Sequence, residues 1–393
     1  MKALLLDAEE KTAKVGNVNK PVPKSNEILV QVIAISLNPI DPLYVGNPLG
    51  QTGRTVGSDF SGLITSIGDS VPGSSNLEIG DRVAGFLQGA CSVNLRAGAF
   101  AEYLTIDWDL LWRVPDNITL EAAAGVSLVA LTAAQGIWYR LGLQAPFVYD
   151  ETKSLAENPE WNWRKSNERS EAELLNVFIY GASTSVALYA AQMVRLSAEA
   201  SNKKIKVFGT ASKDKWELLK AEPYRYDHLV DYHDQDWPSQ IKNLSGDVGM
   251  HFAYDCISEG DTVERVSSIL ARNGVAAIVR SRAGGAWVGD DLPVEPVYGA
   301  VWEGLGEEVQ YQGFTVKKSS AARDFAVRFY DWLGDTAGKK WVPNPIRIMP
   351  GGLESVVNDG FRLLGAGTMD KRDIKRNEPW MRPVGAEKLV YRL

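Results

Sequence analysis

The sequence predicts an α/β protein with two domains, a mainly antiparallel, barrel-like β domain and a doubly wound parallel sheet. Three observations lead to this prediction. The length of 393 residues exceeds what one ordinary hydrophobic core organises. Short alternating apolar runs, glycines and prolines fill residues 1 to about 120. From Leu175 to about Val316, apolar strand-like runs instead alternate with helical ones.

The first part of the chain contains apolar runs with the alternation of β-strands. The runs are Glu27–Ile35, Gly62–Gly68 and Asp81–Phe86. A helical stretch over residues 120–142 follows, with Thr119 as the expected N-cap and Glu121 in the first turn. The chain returns to this domain at its end, where Ala321–Leu333 is predicted helical and Pro345–Met349 and Lys388–Leu393 are predicted strands.

The predicted domains are therefore residues 1–142 with 317–393 for the β domain, and residues 143–316 for the parallel sheet. A polar, tryptophan-containing loop over residues 147–173 is inserted at the start of the second domain. We expect this loop to be an ordered surface segment with little core of its own.

The first predicted strand of the parallel sheet leads into a tight turn of small residues and then a helix. The strands are Val177–Tyr180, Ile205–Gly209, His228–Val230, Met250–Tyr254 and Val275–Val279. The turn is Gly181-Ala182-Ser183-Thr184-Ser185-Val186, which keeps the first glycine of a G-x-G-x-x-G pattern and replaces the later ones. Backbone N–H groups and the positive end of a helix at such a turn favour a bound pyrophosphate.

The end of the second strand indicates which dinucleotide binds. Enzymes that choose NAD place a carboxylate there to accept the ribose 2′-hydroxyl. Here the strand ends in Gly209-Thr-Ala-Ser-Lys-Asp-Lys215. Ser212, Lys213 and Lys215 offer a hydroxyl and two cations, which suit a 2′-phosphate. The sequence therefore predicts NADP(H) as the cofactor.

Composition excludes several classes of function. A net charge of −7 and a pI near 5.3 argue against nucleic acid as a partner. No apolar segment approaches the ~20 residues of a membrane-spanning helix, and the N-terminus has too short an apolar run for a signal peptide. Two cysteines exclude a disulfide framework and fit a reducing compartment, so we expect a cytoplasmic protein without membrane association.

Five segments occur together in a characteristic order. They are Ser36-Leu-Asn-Pro-Ile-Asp41, Gly57-Ser-Asp-Phe-Ser-Gly62 with Val71-Pro72, Glu78-Ile-Gly-Asp-Arg-Val-Ala-Gly85, Gly98-Ala-Phe-Ala-Glu-Tyr103 and the ending Gly385–Leu393. In this order the chain resembles the medium-chain dehydrogenase/reductase superfamily over nearly its whole length. The resemblance implies a GroES-like β-barrel domain and a Rossmann nucleotide-binding domain.

The branch of the superfamily follows from what the segments lack. Gly57–Gly62 stands where zinc alcohol dehydrogenases carry a metal-ligand histidine, and the three histidines all lie in the nucleotide half. We therefore expect no metal. The segments Tyr180-Gly-Ala-Ser-Thr-Ser, Asp231-Tyr and Asp255-Cys-Ile-Ser most resemble fungal trans-acting enoyl reductases. The resemblance implies a monomer that uses NADPH to reduce an enoyl thioester carried by the acyl carrier protein of a polyketide synthase or hybrid synthetase.

The resemblance also implies the catalytic residues. The chain keeps Asn38 and Asp41, and Thr132 lies at the position of a threonine close to the acyl group. The family lysine two residues after the aspartate is Leu43 here, and a leucine can neither stabilise an enolate nor deliver a proton. Tyr44 is a candidate to stabilise the enolate or deliver the proton in place of that lysine.

Three further residues are assigned to the cofactor by the same resemblance. Tyr232 stacks on adenine in the implied arrangement, and Cys256, with Ile257 after it, faces the cofactor from a strand end. Cys256 is expected to be a small neighbour of the cofactor and not a nucleophile, since no histidine is placed to activate it.

Two surface features have both a functional and a structural interpretation. Trp161, Trp163, Trp287 and Trp302 could line an extended apolar substrate or fill gaps under long loops. Lys371–Arg376, with Arg382, could dock an acidic carrier protein or be a solvated basic loop.

Three other functions stay open. The protein could reduce free quinones or enones without a carrier protein. It could shape a polyketide intermediate for non-redox cyclisation or isomerisation, which Leu43 in place of lysine favours. It could also be a non-catalytic NADPH-binding or scaffold protein.

Overall fold

The computed structural model describes residues 1–165, 173–289, 292–311, 314–365 and 376–393. The chain divides into two compact units. The first unit comprises Met1–Leu128, Glu307–Lys318 and Tyr330–Leu393, and the second comprises Val129–Gly306 and Ser319–Phe329.

A seven-stranded sheet forms the centre of the first unit. Its strands follow the order Ile346–Met349, Lys388–Arg392, Glu27–Ser36, Asp59–Ile67, Arg82–Phe86 and Leu111–Arg113, with Tyr103–Asp107 also on Glu27–Ser36. The pairs are antiparallel except for Ile346–Met349 with Lys388–Arg392. Lys2–Asp7 and Thr12–Asn17 form a separate hairpin, and Val309–Tyr311 pairs with Phe314–Val316.

Two glycines explain why the segment Gly57–Gly62 can pack where it does. Gly57 has a φ of +89°, and a Cβ there would lie 2.1 Å from the ring of Phe100. A Cβ on Gly62 would lie 2.0 Å from the backbone oxygen of Gln31 on the neighbouring strand. Both positions require close approach of the backbone, which only glycine allows.

Helices complete the first unit. They are Ile40–Gly46, Leu120–Ala124, Gly352–Ser355, a π-helical turn Val356–Phe361, Arg362–Leu364 and 3₁₀ turns at Gly73–Ser75 and Pro379–Met381. Thr119 is the N-cap of Leu120–Ala124, as predicted, and its hydroxyl accepts from the Ala122 N–H at 3.2 Å.

A six-stranded parallel sheet forms the second unit. Its order is His228–Val230, Lys204–Thr210, Leu174–Tyr180, Met250–Asp255, Leu270–Ile278 and Val297–Tyr298. Apolar side chains of five of these strands pack with Trp237 and Ile241 of the helix Trp237–Leu244 in a buried core. The longest helix wholly in this unit is Ser185–Ser201, and shorter ones are Trp216–Lys220 and Thr262–Ser268. The helix Ser320–Thr336 belongs to this unit up to Phe329 and to the first unit from Tyr330.

The predicted helix over residues 120–142 is three elements. After Leu120–Ala124, a helix runs over Ser127–Ala134 and widens into a π-helical stretch at Gln135–Arg140. The Leu141 N–H donates to the Gly136 oxygen at 3.0 Å, five residues back. Residues 129–142 belong to the second unit, whereas the predicted domain boundary followed residue 142.

The inserted loop has more structure than its polar sequence suggested. It contains the helix Glu151–Glu157 and a 3₁₀ turn at Asn162–Lys165, while residues 166–172 lie outside the described part of the chain. Trp161 is buried against the ring of Tyr139, and Tyr149 packs edge-on against Phe325. Arg164 donates to the backbone oxygen of Tyr139 at 2.7 Å and to the Tyr149 hydroxyl at 2.9 Å. Aromatic side chains of the insertion therefore pack against residues outside it, Tyr139 and Phe325, and hold its described part on the second unit.

Candidate functional site

The predicted cofactor residues lie at one edge of the parallel sheet. The segments Gly181–Val186, Ser212–Lys215, Tyr232 and Cys256–Ile257 follow four adjacent strands, and parallel strands end at the same edge. This edge is where ligands bind in open α/β sheets.

The turn after the first strand has the geometry of a phosphate-binding loop. Gly181 has a φ of +71°, and a Cβ there would lie 2.8 Å from the side chain of Ile257. Thr184 is the N-cap of the 17-residue helix Ser185–Ser201 and accepts from the Ala187 N–H at 3.2 Å. The first N–H groups of this helix, that of Val186 among them, have no residue four positions back within the helix to accept from them. The turn therefore presents donors and a helix N-terminus to an anion.

The same turn is fastened to the second strand. Thr210 accepts from the Gly181 N–H through its hydroxyl at 3.0 Å and from the Ala182 N–H through its backbone oxygen at 2.8 Å. Both residues of the turn are thereby fixed by their neighbour strand. Thr210 was not singled out in the sequence, because its role depends on the pairing of two strands.

The loop after the second strand carries the predicted 2′-phosphate ligands. Lys213 is exposed, Ser212 and Lys215 are partly exposed, and Lys213–Lys215 forms a 3₁₀ turn. The Lys215 ammonium lies 2.9 Å from the carboxylate of Asp214. Lys213 is close enough to Asp231 to help lower the pKa of that carboxyl, which hydrogen bonds from His233 lower most. The loop is cationic, but Asp214 offsets part of the charge of Lys215.

The third and fourth strand ends hold the remaining cofactor candidates. Tyr232 is 41% exposed and its ring lies 4.0 Å from that of His233, so one face is open to a ligand. Cys256 is buried, which raises the pKa of its thiol well above the ordinary value, and Asp255 adds to this effect. A thiol with a raised pKa is a poor nucleophile, because the thiolate is the reactive form.

Asp255 organises the loop that contains Cys256 and Ile257. One oxygen of its buried carboxyl accepts from the N–H groups of Ile257 at 2.9 Å and Ser258 at 2.7 Å. The other accepts from the Thr262 hydroxyl at 2.7 Å. Burial raises the Asp255 pKa to about 6, and these hydrogen bonds oppose the increase.

In the first unit, Asn38 and Asp41 belong to a buried polar network with Ser58, Asp59 and Lys388. The Asp41 carboxyl accepts from the Asn38 N–H at 2.7 Å and from the Ser58 hydroxyl at 2.8 Å. The Asn38 amide donates to Ser58 at 3.2 Å and to Asp59 at 2.9 Å. None of the five residues is more than 3% exposed.

Lys388 supplies the cation of this network from the last strand of the chain. Its ammonium lies 2.5 Å from the amide oxygen of Asn38 and 3.3 Å from the carboxylate of Asp59. The second Asp59 oxygen accepts from the Leu128 N–H at 2.9 Å. The side-chain nitrogen and the side-chain oxygen of Asn38 therefore both bind other residues of the network.

Burial has the largest effect on the pKa values of the three ionisable groups in this network. It raises the Asp41 pKa to about 7, raises the Asp59 pKa and lowers the Lys388 pKa, while the attraction between Lys388 and the carboxylates opposes each change. Ser58, Asp59 and Lys388 were missed as site residues. Both segments that contain them had been recognised, but only as family motifs.

The structure also locates the residues around the missing lysine. Leu43 and Tyr44 lie in the helix Ile40–Gly46, and Tyr44 is buried, with 2% of its surface exposed. Pro39 at the N-cap has helical dihedrals, which starts the helix directly after Asn38. Leu43 is partly buried and brings no charge to this helix.

Thr132 lies in the helix Ser127–Ala134, in the second unit, and its side chain is partly exposed. Its backbone oxygen accepts from the hydroxyl of buried Tyr254 at 3.0 Å.

Three of the four tryptophans are buried, and two arginines of the basic region form ion pairs within the protein. Trp161, Trp287 and Trp302 are buried, with Trp163 partly so. Residues 371–375 lie outside the described part of the chain. Arg376 pairs with Asp359 at 2.7 Å and with Glu378, and Arg382 pairs with Glu387. These two arginines are therefore engaged within the protein.

Among the described residues, no group of three or more His, Cys, Asp or Glu side chains is placed to hold a metal ion. In the same part of the chain, every helix is too short or too polar to cross a membrane.

Comparison with known proteins gives consistent results. Residues 24–116 match the alcohol dehydrogenase GroES-like domain family. The chain is 30% identical over 388 residues to a trans-enoyl reductase from Xenoacremonium sinensis, covering 95% of this chain and 90% of that protein.

Two solved structures share the fold. An alcohol dehydrogenase superfamily protein from Novosphingobium aromaticivorans has a TM-score of 0.70 and 18% identity, covering 100% of this chain and 99% of its own. The CurK enoyl reductase has a TM-score of 0.68 and 16% identity, covering 100% and 98%. The predicted fold class, with a GroES-like domain and a doubly wound parallel sheet, is confirmed.

Proposed function

Because the chain belongs to the trans-enoyl reductase family of the medium-chain dehydrogenase/reductase superfamily, we propose that it reduces an enoyl thioester with NADPH. The acyl chain is carried by the acyl carrier protein of a polyketide synthase or hybrid synthetase. The observation that carries the proposal is the relationship to a trans-enoyl reductase along almost the entire chain. The protein acts as a soluble monomer in this proposal.

The residues at the edge of the parallel sheet fit a dinucleotide. Gly181–Val186 would hold the pyrophosphate with backbone N–H groups, and Ser212, Lys213 and Lys215 would bind the 2′-phosphate. The open face of Tyr232 would stack on adenine. When bound, NADPH supplies the hydride that reduces the β-carbon of the enoyl group.

Two requirements of the reaction remain besides the hydride. The thioester oxygen becomes an enolate, which needs hydrogen-bond donors, and the α-carbon then needs a proton. We assign Thr132 to contact the acyl group, since its side chain is partly exposed. Asn38 and Asp41 keep their place in the proposed site as positioning residues, because their polar groups bind one another, Ser58 and Lys388. Leu43 supplies no proton, so we assign protonation to solvent.

An assay with tethered and free acceptors tests this function. Purified protein and NADPH, given enoyl pantetheine thioesters over a series of chain lengths, should oxidise the cofactor and saturate the substrate α,β-bond. A carrier-bound thioester should react at a higher kcat/KM than simple quinones or enones. Absence of NADPH consumption across the series contradicts the proposal, and faster turnover of free quinones favours the quinone reductase alternative.

The second candidate is a non-redox isomerisation or cyclisation of a polyketide intermediate. The observation that favours it is Leu43 in the helix that also holds Asp41 and Tyr44, where the family has lysine. Product formation in the absence of NADPH, or with NADPH present but not consumed, would distinguish it from the reductase. Product that forms only as NADPH is oxidised would exclude it.

A further inference from the structure

The π-helical stretch Gln135–Arg140 directly follows the helix that carries Thr132, and one residue of the parallel sheet contacts both. Tyr254, on the strand Met250–Asp255, is 2% exposed. Its hydroxyl donates to the backbone oxygen of Thr132 at 3.0 Å, across a sequence separation of 122 residues. Stretches of π-helix are rare and often mark functional sites.

The Tyr254 ring can lie there because residue 136 is glycine. A Cβ on Gly136 would lie 2.4 Å from Cζ of Tyr254 and 2.8 Å from both neighbouring ring carbons. Cβ atoms are not found at such distances from a ring, so Gly136 and Tyr254 are a matched pair. Gly136 is also where the helix register changes, since its oxygen accepts from the N–H of Leu141.

The contact bears on Thr132 through its backbone oxygen. A helical threonine divides between two side-chain rotamers, and its hydroxyl can bond to a carbonyl of the preceding turn instead of a ligand. The Tyr254 hydroxyl fixes the Thr132 carbonyl and with it the position of the backbone from which the Thr132 side chain projects. Burial raises the Tyr254 pKa well above the ordinary value, so the hydroxyl keeps its proton as a donor.

We propose that Tyr254, seated over Gly136, is a positioning residue that orients Thr132 toward the acyl group. The inference rests on the proposed function, in which Thr132 contacts the enoyl thioester. Tyr254 touches neither substrate nor reacting atoms in this scheme; it acts through the Thr132 backbone.

A double-mutant cycle tests the proposal. Tyr254→Phe keeps the ring and removes only the donor, and it should lower kcat/KM for the enoyl thioester about fivefold or more while the NADPH dissociation constant stays within about twofold. In a Thr132→Val background, Tyr254→Phe should cause no further loss, because the side chain it orients is gone. Gly136→Ala should reproduce the Tyr254→Phe result by displacing the ring.

Tyr330→Phe is the matched control. The Tyr330 hydroxyl donates to the Ser127 oxygen at 3.1 Å, so this variant also removes a buried tyrosine hydroxyl from a carbonyl of the same helix. It should leave kcat/KM for the thioester unchanged, whatever its effect on the melting temperature. Unchanged kcat/KM in Tyr254→Phe, or an equal loss with and without Thr132, overturns the positioning role. An unmutated protein that turns over no enoyl thioester overturns the proposed function instead, and this inference with it.

Discussion

The ammonium group of Lys388 lies 2.5 Å from the side-chain oxygen of Asn38, although 350 residues separate them in the chain. The same ammonium contacts Asp59, which in turn accepts from the N–H of Leu128. The last strand of the protein thereby fixes the start of the helix that holds Asp41 and Leu43. Four predictions concern this network, the loop Ser212–Lys215 and the side chain of Arg54.

Removing the cation of the network should leave a buried carboxylate without compensation. We expect Lys388→Met to lower the free energy of unfolding by about 3–5 kcal/mol, measured by urea denaturation. The double variant with Asp59→Asn should recover much of this loss, because the uncompensated charge is removed as well. Equal losses in the single and double variants would show that the ion pair does not govern stability here.

The protonation of Asp41 should make stability depend on pH. Its folded-state pKa of about 7 lies above the ordinary 3.8, so the folded protein keeps a proton that the unfolded chain releases. This contribution to stability therefore falls as pH rises from about 4 to about 7. Asp41→Asn mimics the protonated group and should gain about 2–3 kcal/mol relative to the unmutated protein between pH 5 and pH 8.

The control for Asp41 is Asp116→Asn, whose side chain is fully exposed. Its free energy of unfolding should differ from that of the unmutated protein by the same amount at both pH values. A pH-independent difference for Asp41→Asn would mean that Asp41 is ionised in the folded protein throughout this range.

Cofactor choice should depend on the loop after the second strand. We expect NADPH to bind at least about tenfold tighter than NADH, because Ser212 and a lysine give charge-assisted hydrogen bonds to the 2′-phosphate. Lys215→Ala should weaken NADPH and leave NADH unchanged, as measured by calorimetry. Lys206→Ala, in the exposed early part of the same strand, should change neither constant. Equal constants for the two cofactors in the unmutated protein would contradict the assignment of this loop.

Arg54 should control the loop that follows the strand Arg82–Phe86. Its guanidinium donates to the backbone oxygens of Gly89, Ser92 and Arg96 and to the side chain of Asn94. Arg54→Lys cannot make this set of bonds, so we expect faster hydrogen exchange in residues 89–96 and a stability loss of about 2 kcal/mol or more. Arg113→Lys, at a half-exposed pair with Asp81, should change neither, and unchanged exchange in Arg54→Lys would contradict the role of Arg54.

Some features were accessible from sequence because their causes are local. The strand Lys204–Thr210, the N-cap Thr119 and the helix Ser320–Thr336 depend on patterns within a few residues, and each prediction agrees within three residues at its ends. The helix Ile40–Gly46, which holds Tyr44, was not predicted; it contains Pro42 and begins directly after Pro39. Both prolines are accommodated in the first turn of a helix, where the missing N–H costs nothing.

The sequence by itself determined two folding patterns, the order of their strands along the chain and the turn that suits a dinucleotide. Periodicity and turn chemistry act over short distances, so they are legible without the fold. Only the tertiary structure decided that Lys388 joins Asn38 and Asp59, and that Tyr254 bonds to Thr132 beside Gly136. These contacts join residues far apart in the chain. Their chemistry arises from burial and close approach, which strand pairing and core packing create.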